Sequence, residues 1–167
     1  AALPPLLPQG LLEGLQGHVE TDLVAVLEAI GHGPGDAGDA HRHPVDRVLL
    51  DAPCSGLGTL AKKPDMKWKR DLSDIRKLTA TQEALMESAA RLLKPGGALV
   101  YSTCTTEPEE NSEIITAFLS RHPEFSLDRA DRYLPADVVT ADGFVATYPH
   151  VHFMDGSFAA RLVKAAG

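Results

Sequence analysis

Two apolar runs, each followed closely by a cysteine, constrain the fold of this chain more than any other feature. The first run, residues 45–50, leads through Asp-Ala-Pro to Cys54, and the second, residues 98–101, leads through Ser-Thr to Cys104. Both runs have the length of a buried strand, and parallel strands of an open α/β sheet bind ligands beyond their carboxyl ends. The sequence therefore predicts that the two thiols meet at one site, with Asp51 beside them.

Composition is that of one globular domain. The chain has 167 residues, of which 44% are apolar and 23% charged, and its formal net charge of −7 means that nucleic-acid binding would need a local basic patch. Its two cysteines follow no secretory leader, which favours free thiols in a reducing compartment, and no apolar run approaches the roughly 18 residues that span a bilayer. We expect a cytoplasmic protein without a membrane anchor, with an organelle matrix or the nucleolus as alternatives.

The chain divides into a lead-in, residues 1–44, and a main domain, residues 45–167. Within the lead-in, residues 22–30 carry apolar side chains at helical spacing, and Gly31 follows where a C-cap is expected. This pattern predicts the end of a helix that begins near residue 11.

A Gly-, His- and Asp-rich loop, residues 31–44, follows the predicted helix and shows no hydrophobic periodicity, so we expect it to be mobile. Either Asp36 or Asp39 could face a ligand from this loop, although a solvated acidic loop accounts for both. The three histidines of the loop have no fixed spacing and no cysteine close in sequence. No metal site is predicted from them.

The main domain alternates strands and helices and then ends in two strands. One helix is expected to begin at Asp71 and to end at the Lys-Pro-Gly-Gly sequence of residues 94–97, and another begins at residues 108–111. Two strands, near residues 143–148 and 157–163, close the chain without a helix between them. This order predicts an α/β fold whose sheet is mainly parallel, with an antiparallel pair at its C-terminal edge.

A short basic segment, residues 62–70, surrounds the single tryptophan of the chain. Its five basic residues are Lys62, Lys63, Lys67, Lys69 and Arg70. Basic side chains bind phosphates and an aromatic face can stack on a base, which indicates an RNA-binding role. A solvated loop explains the charges equally well, and Trp68 taken alone is more typical of a core residue than of a stacking platform.

Two thiols and an acid at one site suit the methylation of a pyrimidine ring. Carbon 5 of the ring becomes nucleophilic when a thiolate adds at carbon 6, and a second group later helps to remove the enzyme. Asp51 could donate a hydrogen bond to nitrogen 3 if protonated, or bind the polar end of the methyl donor if ionised. On spacing alone, two buried structural cysteines or a disulfide at the rim remain alternatives.

The sequence around both thiols resembles the RNA cytosine-5 methyltransferases of the RsmB/Sun type, over about residues 45–164. The matching motifs are Asp-Arg-Val-Leu-Leu-Asp-Ala-Pro-Cys-Ser-Gly-Leu-Gly at 46–58, Lys-Pro-Asp-Met-Lys-Trp at 63–68, Leu-Lys-Pro-Gly-Gly at 93–97, Leu-Val-Tyr-Ser-Thr-Cys-Thr at 99–105, Pro-Glu-Glu-Asn at 108–111 and Asp-Gly-Ser-Phe-Ala-Ala-Arg-Leu at 155–162. The resemblance implies a Rossmann-like class I methyltransferase sheet, S-adenosylmethionine as cofactor, no metal, and RNA as partner, with ribosomal RNA favoured over transfer RNA.

The resemblance also implies roles for individual residues. Cys104 corresponds to the nucleophile that adds to carbon 6, and Cys54 to the cysteine that aids product release. Asp51 corresponds to an acid at the site shared by S-adenosylmethionine and the target base. Asp36 lies in a Gly-Asp-Ala sequence similar to the element that approaches the adenine of the donor, and the same sequence recurs at Asp39.

One part of the family pattern has no counterpart in this sequence. The Pro-Gly-Gly-Lys turn that follows the first strand of the family, and the acid after it, match nothing before residue 31. We therefore expect the N-terminal part of the fold to be missing and the chain alone to bind S-adenosylmethionine weakly or not at all. The chain is then either the C-terminal catalytic part of an RNA cytosine-5 methyltransferase or a non-catalytic RNA-binding or assembly protein with a degenerate methyltransferase fold.

Overall fold

Six strands form one sheet in the computed structural model, which describes residues 24–28, 44–69 and 71–167. The strands are β1 (Val24–Glu28), β2 (Val45–Asp51), β3 (Leu93–Thr103), β4 (Phe125–Leu127), β5 (Val145–Thr147) and β6 (Ser157–Lys164). The helices are α1 (Leu72–Leu92), α2 (Ser112–Arg121) and the short α3 (Pro149–His152). Among these helices, none has both the length and the apolar character that crossing a membrane requires.

The direction of β6 sets the topology of the sheet. The strand order is β1-β2-β3-β6-β4, and β5 also pairs with β6. β1, β2 and β3 pair in parallel, whereas β6 is antiparallel to β3, β4 and β5. The five strands other than β6 in the described sheet therefore all point in the same direction. The predicted mainly parallel α/β sheet is confirmed. The predicted antiparallel pair is formed by β5 and β6, and β6 also lies between β3 and β4.

β1 corrects the helix predicted over residues 11–30. Residues 24–28 pair in parallel with β2, in a register that runs from Val24 opposite Arg47 to Glu28 opposite Asp51. The helix prediction is wrong here because a short apolar run fits a buried parallel strand as well as one face of a helix. The two valines of Val-Ala-Val-Leu favour the strand, since their branched side chains suit a pleated surface.

The remaining predictions for the lead-in lie outside the described residues. They comprise the rest of the helix and the loop up to residue 43, with Asp36, Asp39 and three histidines. Their places in the fold stay predictions.

Helix α1 begins where the sequence predicts because Asp71 caps it. Oδ1 of Asp71 accepts hydrogen bonds from the backbone N–H of Ser73 at 2.7 Å and of Asp74 at 3.1 Å. In return, the Asp74 carboxylate accepts from the backbone N–H of Asp71 at 3.4 Å. This capping box satisfies N–H groups that the first helical turn leaves without partners.

The core lies between the sheet and helices α1 and α2. Its largest fully buried apolar side chains are Leu50, Leu99, Tyr101 and Leu162 from the strands, Met86 from α1, and Ile115 and Phe118 from α2. β2 and β3 are thus anchored by close packing, and the loops that carry the cysteines start from a rigid frame.

Candidate active site

The two cysteines lie together beyond the carboxyl ends of β2 and β3. Sγ of Cys54 is 3.3 Å from Sγ of Cys104, although the residues are 50 positions apart in sequence. The backbone N–H of Cys104 also donates to Sγ of Cys54 at 3.3 Å. Both are free thiols with partial exposure. The structure therefore brings together the two sulfurs that the strand pattern predicts to meet.

The pairing of β2 with β3 explains this meeting. Asp51 lies opposite Ser102 in the parallel register, and the chain after β2 continues along the end of β3. The backbone N–H of Ala52 donates to the carbonyl of Ser102 at 2.9 Å, and that of Gly58 donates to the carbonyl of Cys104 at 3.0 Å. The Cys54 loop is thus tied to β3 and its continuation at both ends.

Gly58 is required by the close packing of this loop. A Cβ at Gly58 would lie 2.8 Å from the carbonyl oxygen of Cys104 and still closer to that of Gly156, so no side chain fits. The backbone N–H of Gly156 donates to the carbonyl of Gly58 at 2.8 Å. The turn before β6 therefore packs directly against the loop after Cys54.

Asp51 lies beside the thiols, as predicted. Its Oδ1 accepts a hydrogen bond from the Ser102 hydroxyl at 3.0 Å, and its charge acts to raise the pKa of Cys104. Asp51 also ends β2 opposite Glu28, the last residue of β1. It is thus close both to the thiol pair and to the rim between two parallel strands.

The thiol pair is electrostatically asymmetric. A hydrogen bond from Cys54 lowers the pKa of Cys104, against the opposing effects of burial and Asp51. The same hydrogen bond, with burial, raises the pKa of Cys54. These opposite directions favour Cys54 as the protonated thiol that donates the hydrogen bond, and Cys104 as the thiolate that accepts it. Because the thiolate is the nucleophilic form, Cys104 is the better nucleophile of the two.

A buried carboxylate, which the sequence pattern does not reveal, lies under the Cys54 loop. Glu110 is fully buried in the short 3₁₀ helix Pro108–Glu110. Its Oε1 accepts from the backbone N–H of Ser55 at 2.8 Å and from Nε2 of Gln82 at 3.1 Å. Its Oε2 accepts from the Ser55 hydroxyl at 2.5 Å.

Asn111, the next residue, makes matching contacts to the Cys104 loop. Its Nδ2 donates to the carbonyl of Thr105 at 3.0 Å, and its Oδ1 accepts from the Thr103 hydroxyl at 2.6 Å. The Pro-Glu-Glu-Asn motif is visible in the sequence as a helix start, where acids are favourable on electrostatic grounds alone. Only the fold distinguishes the buried Glu110 from the exposed Glu109.

The basic segment contains an exposed 3₁₀ helix, Pro64–Trp68, with no buried residue. The side chain of Trp68 is 83% exposed, so its predicted place in the core is wrong. The reason is local, because a single turn that buries no residue leaves the indole no apolar surface to pack on. Nζ of Lys67 lies 5.4 Å from the centroid of the Trp68 ring, within the range of a cation–π contact.

The five predicted RNA-binding cations differ in their surroundings. Lys62 donates to Asp155 at 2.7 Å, and Lys69 pairs with the aspartate four residues before it. Lys63 is exposed, and its charge helps to lower the pKa of Cys104. Arg70 lies outside the described residues. The backbone N–H groups of Lys62 and Lys63 both donate to the carbonyl of Thr59, so the basic segment directly continues the loop that follows Cys54.

A metal centre has no candidate in the described part of the chain. No group of three or more His, Cys, Asp or Glu side chains there could hold an ion. The histidines of residues 31–43 fall outside that part of the chain.

Comparison with known proteins identifies relatives of the chain. The family model described as 16S rRNA methyltransferase RsmB/F matches residues 21–163. The probable ribosomal RNA small subunit methyltransferase B of Synechocystis is 43% identical over 123 residues, which are 72% of this chain and 28% of that protein. The protein of the same name from Bacillus subtilis is 42% identical over 122 residues, 71% of this chain and 27% of that protein. The chain thus spans little more than a quarter of the length of these relatives.

Solved structures agree with the sequence comparison. The crystal structure of PH0851 superposes with a TM-score of 0.67 at 40% identity, covering 75% of this chain and 30% of that one. The crystal structure of NSun6 from Pyrococcus horikoshii with SFG superposes with a TM-score of 0.65 at 30% identity, covering 77% and 34%. The resemblance seen in the motifs is confirmed by a family match over most of the chain and by these folds. The chain belongs to the family of 16S rRNA methyltransferases RsmB/F.

Proposed function

We propose that this chain is the catalytic part of an S-adenosylmethionine-dependent enzyme that methylates carbon 5 of cytosine in RNA. One observation carries the proposal: two free thiols, 3.3 Å apart, lie beside an acid at the ends of two parallel strands. Membership of an rRNA methyltransferase family supports RNA as the substrate class and favours ribosomal over transfer RNA.

Cys104 is the proposed nucleophile. Its Sγ adds to carbon 6 of the cytosine, which places electron density on carbon 5. The hydrogen bond from Cys54 supports this role because it lowers the pKa of Cys104 and so favours the thiolate. The cytosine must leave its stack to meet a sulfur at the sheet rim, as is usual for enzymes that act on bases.

Cys54 is proposed to assist release of the product. Once carbon 5 has taken the methyl group, a base such as water takes the proton from carbon 5, and the bond between carbon 6 and sulfur breaks with its electron pair returning to Cys104. The Cys54 thiol lies 3.3 Å from that sulfur and can stabilise the departing thiolate by a hydrogen bond. The two thiols thus have different roles in one reaction.

Asp51 is proposed to lie between the target base and the methyl donor. When bound, S-adenosylmethionine supplies an electrophilic methyl group. In its acid form Asp51 would donate to nitrogen 3 of cytosine, and as a carboxylate it would accept from the donor's amino group. The sheet edge beyond β1 and β2 is the expected place for such a ligand, because open α/β sheets bind ligands beyond the carboxyl ends of parallel strands.

The sequence after β1 also fits a donor site. Gly31, Gly33 and Gly35 follow the strand, and glycines after a strand let a ligand approach the backbone closely. Asp36 follows directly and is the proposed contact to the adenine. NSun6 in complex with SFG, an analogue of S-adenosylmethionine, supports the same cofactor for this family.

The basic segment is proposed to contact the RNA. The exposed Lys63 and Lys67 would meet phosphates, and the exposed face of Trp68 would stack on a base. These contacts would add affinity from a local patch on a chain whose net charge is −7.

The test is covalent trapping with RNA that contains 5-fluorocytosine, using the complete protein and S-adenosylmethionine. With fluorine in place of hydrogen, carbon 5 has no proton to lose after methyl transfer, so the adduct with Cys104 should persist in denaturing gels. No adduct with the native protein, or an undiminished one with Cys104→Ala, would contradict the proposal. Titration calorimetry with S-adenosylmethionine on the same protein distinguishes the enzyme from the alternative. Absence of saturable binding would favour a non-catalytic RNA-binding role.

A further inference from the structure

We propose that Glu110 is a positioning residue that holds the Cys54 loop against the Cys104 loop and so sets the contact between the two thiols. The inference extends the proposed function, in which both thiols act on one base. The thiol contact involves only residues of this chain, so it can be tested separately in experiments without RNA or donor.

The first argument concerns the surroundings of the Glu110 carboxylate. It is fully buried, and no ion pair to it occurs among the residues that the structure describes. A buried carboxylate is unfavourable unless hydrogen bonds replace its water shell. Two of its three donors come from Ser55, the neighbour of Cys54. The position of the Cys54 loop and the stability of the buried carboxylate therefore depend on each other.

The second argument is that the peptide groups on both sides of Cys54 are fixed. The Ser55 N–H donates to Glu110, and the Pro53 carbonyl accepts from Nε2 of Gln82 at 2.9 Å. The same Nε2 donates to Glu110, which leaves Oε1 of Gln82 as a buried atom without a partner in the described structure. A buried oxygen without a partner reduces the stability of the folded state. The Gln82 amide keeps this orientation because the Pro53 carbonyl and the Glu110 carboxylate both accept from its N–H groups.

The third argument is that the network reaches the other thiol. The Ser55 hydroxyl lies 2.9 Å from the Thr105 hydroxyl, so the residues after the two cysteines touch just as the cysteines do. The Tyr101 hydroxyl donates to the backbone carbonyl of Glu110 at 2.7 Å and anchors it to β3. A chain of contacts from Glu110 through Ser55 to Thr105 thus runs parallel to the contact between the sulfurs.

The experiment measures the reactivity of each thiol in the complete protein without RNA. Iodoacetamide alkylation of Cys54 and Cys104 is followed by mass spectrometry across a range of pH, and the ratio of the two rates is the readout. Glu110→Leu removes every acceptor, whereas Glu110→Gln keeps the shape and one acceptor oxygen. Glu109→Gln is the matched control, since Glu109 is exposed in the same turn.

In the native protein Cys104 should react faster than Cys54. In Glu110→Leu the thiols separate, Cys104 loses its hydrogen bond, and the ratio should fall by roughly tenfold at neutral pH because only the thiolate reacts. Glu110→Gln should restore part of the ratio, and Glu109→Gln should leave it unchanged.

A role limited to folding would change the thermal midpoint and leave this ratio intact. If Glu110→Leu fails to fold, Ser55→Ala decides, because it removes only the hydroxyl that joins Glu110 to Thr105 and should also lower the ratio. The proposal is overturned if Ser55→Ala and a folded Glu110 variant both keep the native ratio. Failure of the RNA trapping experiment would leave this result unaffected.

Discussion

Lys62 donates to the Asp155 carboxylate at 2.7 Å and so joins the loop after Cys54 to the turn before β6. Its charge is therefore shared with a carboxylate, whereas Lys63 and Lys67 are exposed members of the same basic segment. Within this short segment we therefore expect Lys63 and Lys67 to contribute more than Lys62 to RNA binding.

Neutralising Lys63 and Lys67 together should weaken RNA binding and reduce its dependence on salt. Each lost phosphate contact should lower the slope of log affinity against log salt by about 0.7 for single-stranded RNA. Filter binding from low to moderate salt measures this slope. Lys62→Gln is the control and should have a smaller effect, and equal slopes for the native protein and the double variant would contradict the predicted phosphate contacts.

Replacing Trp68 with alanine should leave stability unchanged and weaken RNA binding. The indole is exposed, so the free energy of unfolding should change by no more than about 0.5 kcal/mol. Loss of one base stack should reduce the binding free energy by about 1–3 kcal/mol. Urea denaturation and RNA titration of the same variant check both parts, and a large loss of stability would instead indicate a core role.

Cys54→Ala should yield a protein that attacks RNA but releases it poorly. Without the second thiol, the departing Cys104 thiolate loses its hydrogen-bond donor. With ordinary cytosine-containing RNA and the donor, a covalent complex should accumulate on denaturing gels, while Cys104→Ala should form none. Normal turnover by Cys54→Ala would show that release does not need this residue.

Stability should depend on pH through His122, which links α1 and α2. Burial acts to lower the pKa of His122, but hydrogen bonds to Glu87 and Glu124 outweigh it and raise the pKa. The protonated form is thus favoured in the folded state. Its contribution is fully present below the unfolded pKa of about 6.5 and is lost as pH rises through the higher folded pKa.

Urea denaturation of the native protein and of His122→Gln on both sides of this range tests the dependence. The difference in unfolding free energy between the two proteins should be larger at the acidic end. A difference that grows towards alkaline pH would reverse the assigned sign.

The meeting of Cys54 and Cys104 could be predicted because the ends of neighbouring parallel strands share one rim, and apolar runs locate those ends. The strand β1 could not be predicted, since its four apolar residues satisfy helical and strand patterns alike. The burial of Glu110 could not be predicted from the sequence either. Its local sequence matches an ordinary helix start, and only the packing of the 3₁₀ helix Pro108–Glu110 beneath the Cys54 loop excludes water from it.

The contact of Gly156 with Gly58 has a consequence for the order of folding. Gly156 packs on Gly58 in the loop after Cys54, and it comes roughly a hundred positions later in the sequence. During synthesis, β2 and β3 leave the ribosome well before this turn does. In the nascent chain the loop after Cys54 therefore lacks its contact with Gly156 until that turn has emerged. A chain shortened before residue 156 would keep both cysteines but lose this contact.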